Sequence, residues 1–156
     1  MSDESGRAHE TKQERLNREL IELLNEVRVA LPGVQVLFAF LLAVPFQQRF
    51  ADTTTFQRDT YFVALALSLI ATALLIAPTA LHRLNFRASD KEAIVLISNR
   101  LVIAGTFVLA PAMTAVIVLI ADFIFSTPMT VLTGIGAAST FLLLWLALPL
   151  SRRWHQ

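Results

Sequence analysis

Two long stretches without a charged residue constrain the fold of this chain more than any other feature. Residues 61–81 and 131–150 contain no Asp, Glu, Lys or Arg. About 20 consecutive apolar residues in a helix cross the hydrocarbon core of a bilayer. Residues 101–125 add a third run, interrupted only by Asp122, and residues 29–46 form a shorter fourth run. The sequence therefore predicts four transmembrane segments.

These segments predict helices rather than strands of a membrane barrel, because a barrel strand alternates polar and apolar residues. The composition agrees, with 55% hydrophobic and 16% charged residues and a mean hydropathy of +0.61. We predict an all-α fold, a four-transmembrane-helix bundle, in a single membrane domain over residues 11–156. Residues 1–10 are expected to be a disordered tail, and the helices are expected at about 11–46, 60–81, 90–125 and 131–150.

The distribution of Lys and Arg predicts the orientation. Segments that would face one side carry eleven of these residues, whereas the other side carries only Arg49 and Arg58. Positive residues collect on the cytoplasmic side of membrane proteins. Both termini are therefore expected in the cytoplasm of a multi-pass protein of the inner (plasma) membrane.

Apolar residues recur every three or four positions before the first membrane segment, at Leu16, Leu20, Leu23 and Val27. This spacing predicts an amphipathic cytoplasmic helix. One interpretation is a helix that lies on the inner leaflet or binds a partner. The other is an extension of the first membrane helix that packs on its neighbours.

A weak internal repeat suggests two tandem helical hairpins. Residues 19–24 (ELIELL) align with residues 92–97 (EAIVLI), and each half closes with a proline followed by basic residues. Two hairpins in the same orientation would be related by an axis along the membrane normal. Convergence of two short segments is the alternative.

Asp122 is the first candidate functional residue, because a carboxylate within an apolar segment is costly and often functional. Its position near the end of the segment also fits structural anchoring, for example by pairing with Arg49 or Arg58. Handling of a proton or cation is the other interpretation. Gln35 and Arg100 are further candidate polar sites, for an interhelical hydrogen bond and for a side chain that reaches the membrane surface.

Signatures of catalysis and of metal binding are missing from the sequence. It has no cysteine, no glycine-rich phosphate loop and no His-Glu-x-x-His pattern, and its three histidines are scattered. We expect no enzymatic activity, no cofactor and no metal. The net charge of +1 gives no reason to expect nucleic-acid binding.

Three segments together resemble an actinobacterial family of four-helix membrane proteins of unknown function. They are residues 18–28 (RELIELLNEVR), 31–35 (LPGVQ) and 45–50 (PFQQRF). Some members of that family are described as sodium:proton antiporters. The resemblance implies no transport residues that could be carried over to this chain.

The function expected from the sequence is that of a structural or accessory protein of the membrane. Its partners would be the lipid bilayer and either further copies of the chain or a membrane partner protein. The alternative is a small oligomeric ion or proton transporter.

Overall fold

The computed structural model describes residues 11–84 and 91–147, and every regular element in this part of the chain is helical. Helix α1 spans Lys12–Ala43, α2 spans Thr55–Leu84, α3 spans Lys91–Ile124 and α4 spans Thr127–Leu142. A π-helical turn, Leu143–Ala147, continues α4. These helices, with α4 taken through Trp145, are long and apolar enough to cross a membrane, so four candidate spans are present, as predicted. The expected disordered tail and the end of the fourth segment lie outside the described residues.

Helix α1 begins at a capping box. The Thr11 hydroxyl accepts a hydrogen bond from the Glu14 amide, and the Glu14 carboxylate accepts one from the Thr11 amide. The helix then continues to Ala43 with Pro32 inside it. The predicted amphipathic segment is thus the first part of α1 and not a separate helix. Its apolar stripe is inside the molecule, as Leu20 and Val27 are both buried.

Two short 3-10 turns, Val44–Phe46 and Gln48–Asp52, connect α1 to α2. Helix α2 then starts at Thr55, earlier than its apolar run suggests, because Thr54 and Gln57 bond to each other's amides. This connection and the short turn between α3 and α4 lie at the same end of the molecule. We call it the connection end, and the opposite end the N-terminal end.

The most extensive contact between helices is the antiparallel packing of α2 on α3. Small residues make it close. Ala64, Ser68 and Ala71 of α2 and Ala112 of α3 are completely or almost completely buried. A Cβ atom added at Gly105 of α3 would lie only 2.9 Å from the Leu75 side chain. Small residues permit such close approach of helix backbones in lipid.

Helices α1 and α4 pack at the periphery of this pair. Helix α1 contacts both α2 and α3, whereas the backbone of α4 approaches that of α3 alone. Gly134 of α4 faces Val118 of α3, and a Cβ atom added at Gly134 would lie 2.8 Å from the Val118 side chain. The described helices therefore form an open arrangement, with α3 in contact with the other three.

Candidate polar site around Asp122

Asp122 is half-buried near the last turn of α3, and its partner is Gln57 of α2. The Gln57 side-chain amide donates a hydrogen bond of 2.9 Å from Nε2 to Oδ2 of Asp122. Gln57 is itself 8% exposed. A hydrogen bond to a carboxylate is stronger than one between neutral groups, so this contact joins α2 and α3 at the connection end.

The same glutamine also caps α2. The side-chain Oε1 of Gln57 accepts a hydrogen bond of 3.1 Å from the Thr54 backbone amide. The backbone amide of Gln57 donates one of 3.2 Å to the Thr54 hydroxyl. The start of α2 and the end of α3 are thus held by one side chain. We call Thr54, Gln57 and Asp122 the polar cluster.

A second contact at this end ties α1 to α2. The Tyr61 hydroxyl donates a hydrogen bond of 3.1 Å to the Leu41 carbonyl. That carbonyl has no partner four residues later, because Pro45 lacks an N–H group, and it also accepts from the Val44 amide. The Tyr61 ring also packs edge-on against Phe50, with ring centroids 5.3 Å apart.

The structure separates the other predicted site residues from Asp122. Arg49 and Arg58 are exposed, and within residues 11–84 and 91–147 neither forms an ion pair with Asp122. Pairing with Arg49 or Arg58 was one possible anchor for Asp122, and the observed partner is instead the neutral donor Gln57 in the first turn of α2. Gln35 and Arg100 are exposed on α1 and α3, so neither makes a buried interhelical contact.

Two depressions lie outside the polar cluster. An acidic groove of about 350 Å³ lies between α1 and α3 toward the N-terminal end; Glu19, Glu22, Leu23, Glu26, Val95, Leu96 and Asn99 line it. An apolar cleft of about 460 Å³ lies between α3, α4 and the first turns of α2; its lining includes Phe56, Thr60, Phe107, Pro111, Val118 and Trp145.

Chemically, the polar cluster can position two helices, and its carboxylate can accept further donors. The described part of the chain contains no group of three His, Cys, Asp or Glu residues that could hold a metal ion. The buried hydroxyls of Ser68 and Ser98 lack hydrogen-bond partners there. Ser68 belongs to α2 and Ser98 to α3, and Ser68 lies among the small residues of the contact between these helices.

Sequence reasoning identified Asp122 but not the role of Gln57 or Tyr61. A signal for Gln57 exists, since Thr54-x-x-Gln57 before an apolar run is the pattern of a capping box. No comparable pattern marks Tyr61, whose acceptor is twenty residues away in the chain.

A family model described as "Family of unknown function (DUF6328)" matches residues 9–149. Neither the search of curated proteins nor that of solved structures found a match.

Proposed function

The chain belongs to a family of unknown function, DUF6328, and from its geometry we propose a non-enzymatic structural or accessory protein of the plasma membrane. Both termini are proposed to be cytoplasmic, because Lys and Arg are concentrated on that side. The N-terminal end is then cytoplasmic and the connection end faces outward.

One observation carries this proposal: the carboxylate of the apolar segments is held at one end of the molecule. Asp122 contacts Gln57 near the last turn of α3, while the middle of the α2–α3 contact is closed by small residues such as Ala71 and Ala112. Transport folds instead place coupling groups near the bilayer midplane. A single peripheral carboxylate fits the anchoring of helices better than ion movement.

An ion or proton transporter is the second candidate, favoured by the half-burial of Asp122 in an otherwise apolar stretch. Reconstitution into liposomes separates the two candidates. Under our proposal, the wild-type protein and Asp122→Asn show the same sodium- and proton-dependent flux as empty liposomes. Asparagine can still accept from Gln57, so the variant keeps the helix contact. Flux in the wild type that Asp122→Asn abolishes would overturn the proposal.

The accessory role also predicts an interaction element at the N-terminal end. Helices of 32 and 34 residues extend for about 48 and 51 Å, well beyond a hydrocarbon core of about 30 Å. Their projecting parts meet at the acidic groove, where Glu22 and Glu26 are exposed. We propose that a membrane partner or a further copy of the chain binds there.

Charge reversal tests this element without removing the buried leucines. Glu22→Lys with Glu26→Lys is expected to reduce co-purification of membrane partners, because the groove loses its negative charge. Asn25→Lys is the matched control, since Asn25 is exposed and lies outside the groove lining. Unchanged partners with the double variant would contradict the interaction role.

A further inference from the structure

The apolar cleft and the polar cluster adjoin each other. Val118 lines the cleft, and Asp122 follows it by one helical turn on the same face of α3. Phe56 also lines the cleft, and the next residue is Gln57, which holds Asp122. Asp122 therefore lies one helical turn beyond Val118, the residue of α3 that lines the cleft nearest the connection end.

The length of the cleft fits one leaflet of a bilayer. Along α3 it extends from Phe107 to Val118, which is about 17 Å at the helical rise. Half of a hydrocarbon core measures about 15 Å. Trp145 lies at the deep end, where its ring packs edge-on against Phe141 with centroids 5.1 Å apart.

The width of the cleft fits a hydrocarbon chain. A volume of about 460 Å³ over that length gives a mean cross-section of about 27 Å². A helix of about 10 Å diameter has a cross-section of about 80 Å². A hydrocarbon chain, which packs with carbon contacts at about 4 Å, is narrower than the cleft. A helix from a second copy would cover the open side of the cleft rather than enter it.

The apolar lining alone cannot select a lipid, because a chain in the surrounding bilayer is already in an apolar medium. Selectivity has to come from the head group. Asp122 accepts a single hydrogen bond among the described residues, and a carboxylate offers about four acceptor positions on its two oxygens. An ammonium group complements it in charge and supplies N–H donors.

We propose that the cleft binds one acyl chain of a phospholipid with a primary ammonium head group, such as phosphatidylethanolamine. The ammonium group donates to Asp122 while the chain lies along α3 toward Trp145. The site belongs to the leaflet at the connection end. It depends on membrane insertion but not on the accessory role, so loss of the partner interaction leaves it unaffected.

Fluorescence quenching by brominated lipids tests the site directly. The chain has two tryptophans, so Trp154→Phe leaves Trp145 as the reporter in the full-length protein. The protein is reconstituted in mixtures that carry bromine on the distal half of the acyl chains of one lipid class. We expect phosphatidylethanolamine to be favoured near Trp145 about threefold to fivefold over phosphatidylcholine and phosphatidylglycerol, as for one exposed charge pair.

Comparison of the three head groups tests the positive charge and the N–H donors of the ligand separately. Phosphatidylcholine has a positive charge but no N–H donor, and phosphatidylglycerol has neither. Equal quenching by all three classes would overturn the proposal and identify ordinary annular lipid. Equal preference for the ethanolamine and choline lipids would overturn the hydrogen bond to Asp122, and preference for the glycerol lipid would overturn the head-group assignment.

Two variants locate the site, each with a matched control. Asp122→Asn should remove the preference for the ethanolamine lipid, whereas Asp59→Asn, at an exposed carboxylate of the same end, should leave it unchanged. Ala138→Phe fills the cleft and should also remove the preference. Ile135→Phe adds similar bulk on an exposed face of α4 outside the cleft lining and should not. Retention of the preference in both site variants would overturn the proposal even if one of them folds poorly.

Discussion

At the scale of single residues, Pro45 explains why the Tyr61 hydroxyl donates to a backbone carbonyl of the preceding helix. A proline at position 45 cannot donate to the Leu41 carbonyl, which in an uninterrupted helix would accept from that position. An unsatisfied carbonyl is costly where no water is present. The Leu41 carbonyl accepts from the Val44 amide, and the Tyr61 hydroxyl supplies a second donor at 3.1 Å. The donor that Pro45 lacks just after α1 is thus replaced from α2.

This compensation predicts a coupling between positions 45 and 61. Tyr61→Phe should lower the free energy of unfolding by about 1 kcal/mol, because the Leu41 carbonyl loses one of its donors while the aromatic ring is kept. In a chain that carries Pro45→Ala, the new amide can donate to the Leu41 carbonyl, and the same substitution should cost less. Chemical unfolding in mixed micelles measures the free energy of unfolding of the wild type, both single variants and the double variant. Strictly additive effects of the two substitutions would contradict the coupling.

Gln57 shows where residue-level prediction from the sequence ends. Asp122 is easily identified because charged residues are rare in apolar segments. Arg49 and Arg58 are the positively charged residues predicted at the same end of the molecule, so they are the partners that the sequence offers. The actual partner is neutral and lies 65 residues away in the chain. The start of α2 determines that partner, since an additional helical turn before the apolar run places Gln57 opposite the end of α3.

At the scale of helices, the closeness of α2 and α3 depends on Gly105. A Cβ atom at this position would lie 2.9 Å from Cγ of Leu75 and 3.2 Å from Cβ of Leu74. Leu75 is only 2% exposed, so its side chain has little space into which it can move. The glycine is required here for its missing side chain and not for an unusual backbone conformation.

Gly105→Ala is therefore expected to lower the free energy of unfolding by about 1–3 kcal/mol, the range for overpacking a close contact. Gly33→Ala and Gly136→Ala are matched controls, because a Cβ atom at either position meets no atom within 4 Å. The controls should be neutral or more stable by up to about 1 kcal/mol, since alanine favours a helix. Thermal unfolding in detergent compares the three variants; equal destabilisation would refute the packing argument.

The arrangement of the helices was less predictable than their existence. Apolar runs identify the four helices because the bilayer requires them, whereas the contacts between helices depend on small residues in several competing stripes.

One structural observation agrees with the predicted repeat. Leu23 and Leu96, and likewise Glu26 and Asn99, line the acidic groove together. Each pair has the same separation along the chain as Glu19 and Glu92 in the repeat alignment.

Those pairs place equivalent parts of α1 and α3 side by side, as a repeat axis along the membrane normal requires. The peripheral helices depart from such symmetry. Helix α2 packs extensively on α3, while the corresponding approach of α4 to α1 is missing from the described helices. A pair of independent hairpins therefore does not describe the packing, because its largest contact joins one hairpin to the other.

At the scale of the whole molecule, the polar cluster and the acidic groove lie at opposite ends. Gln57 and Asp122 join helices at the connection end, and Glu19, Glu22 and Glu26 line the groove toward the N-terminal end. A membrane across the helices would expose these two polar regions to different compartments. The orientation therefore decides which compartment supplies a binding partner for the groove.

Eleven Lys and Arg residues on one side and two on the other predict that the N-terminal end is cytoplasmic. The chain has no native cysteine, so single cysteines report their location without background labelling. Ala51→Cys, exposed in the turn after α1, should react with a membrane-impermeant maleimide added to intact cells. Asn25→Cys, exposed on α1, should react only after the membrane is permeabilised. The opposite labelling pattern would invert the topology, place the acidic groove outside the cell and restrict its partners to extracytoplasmic molecules.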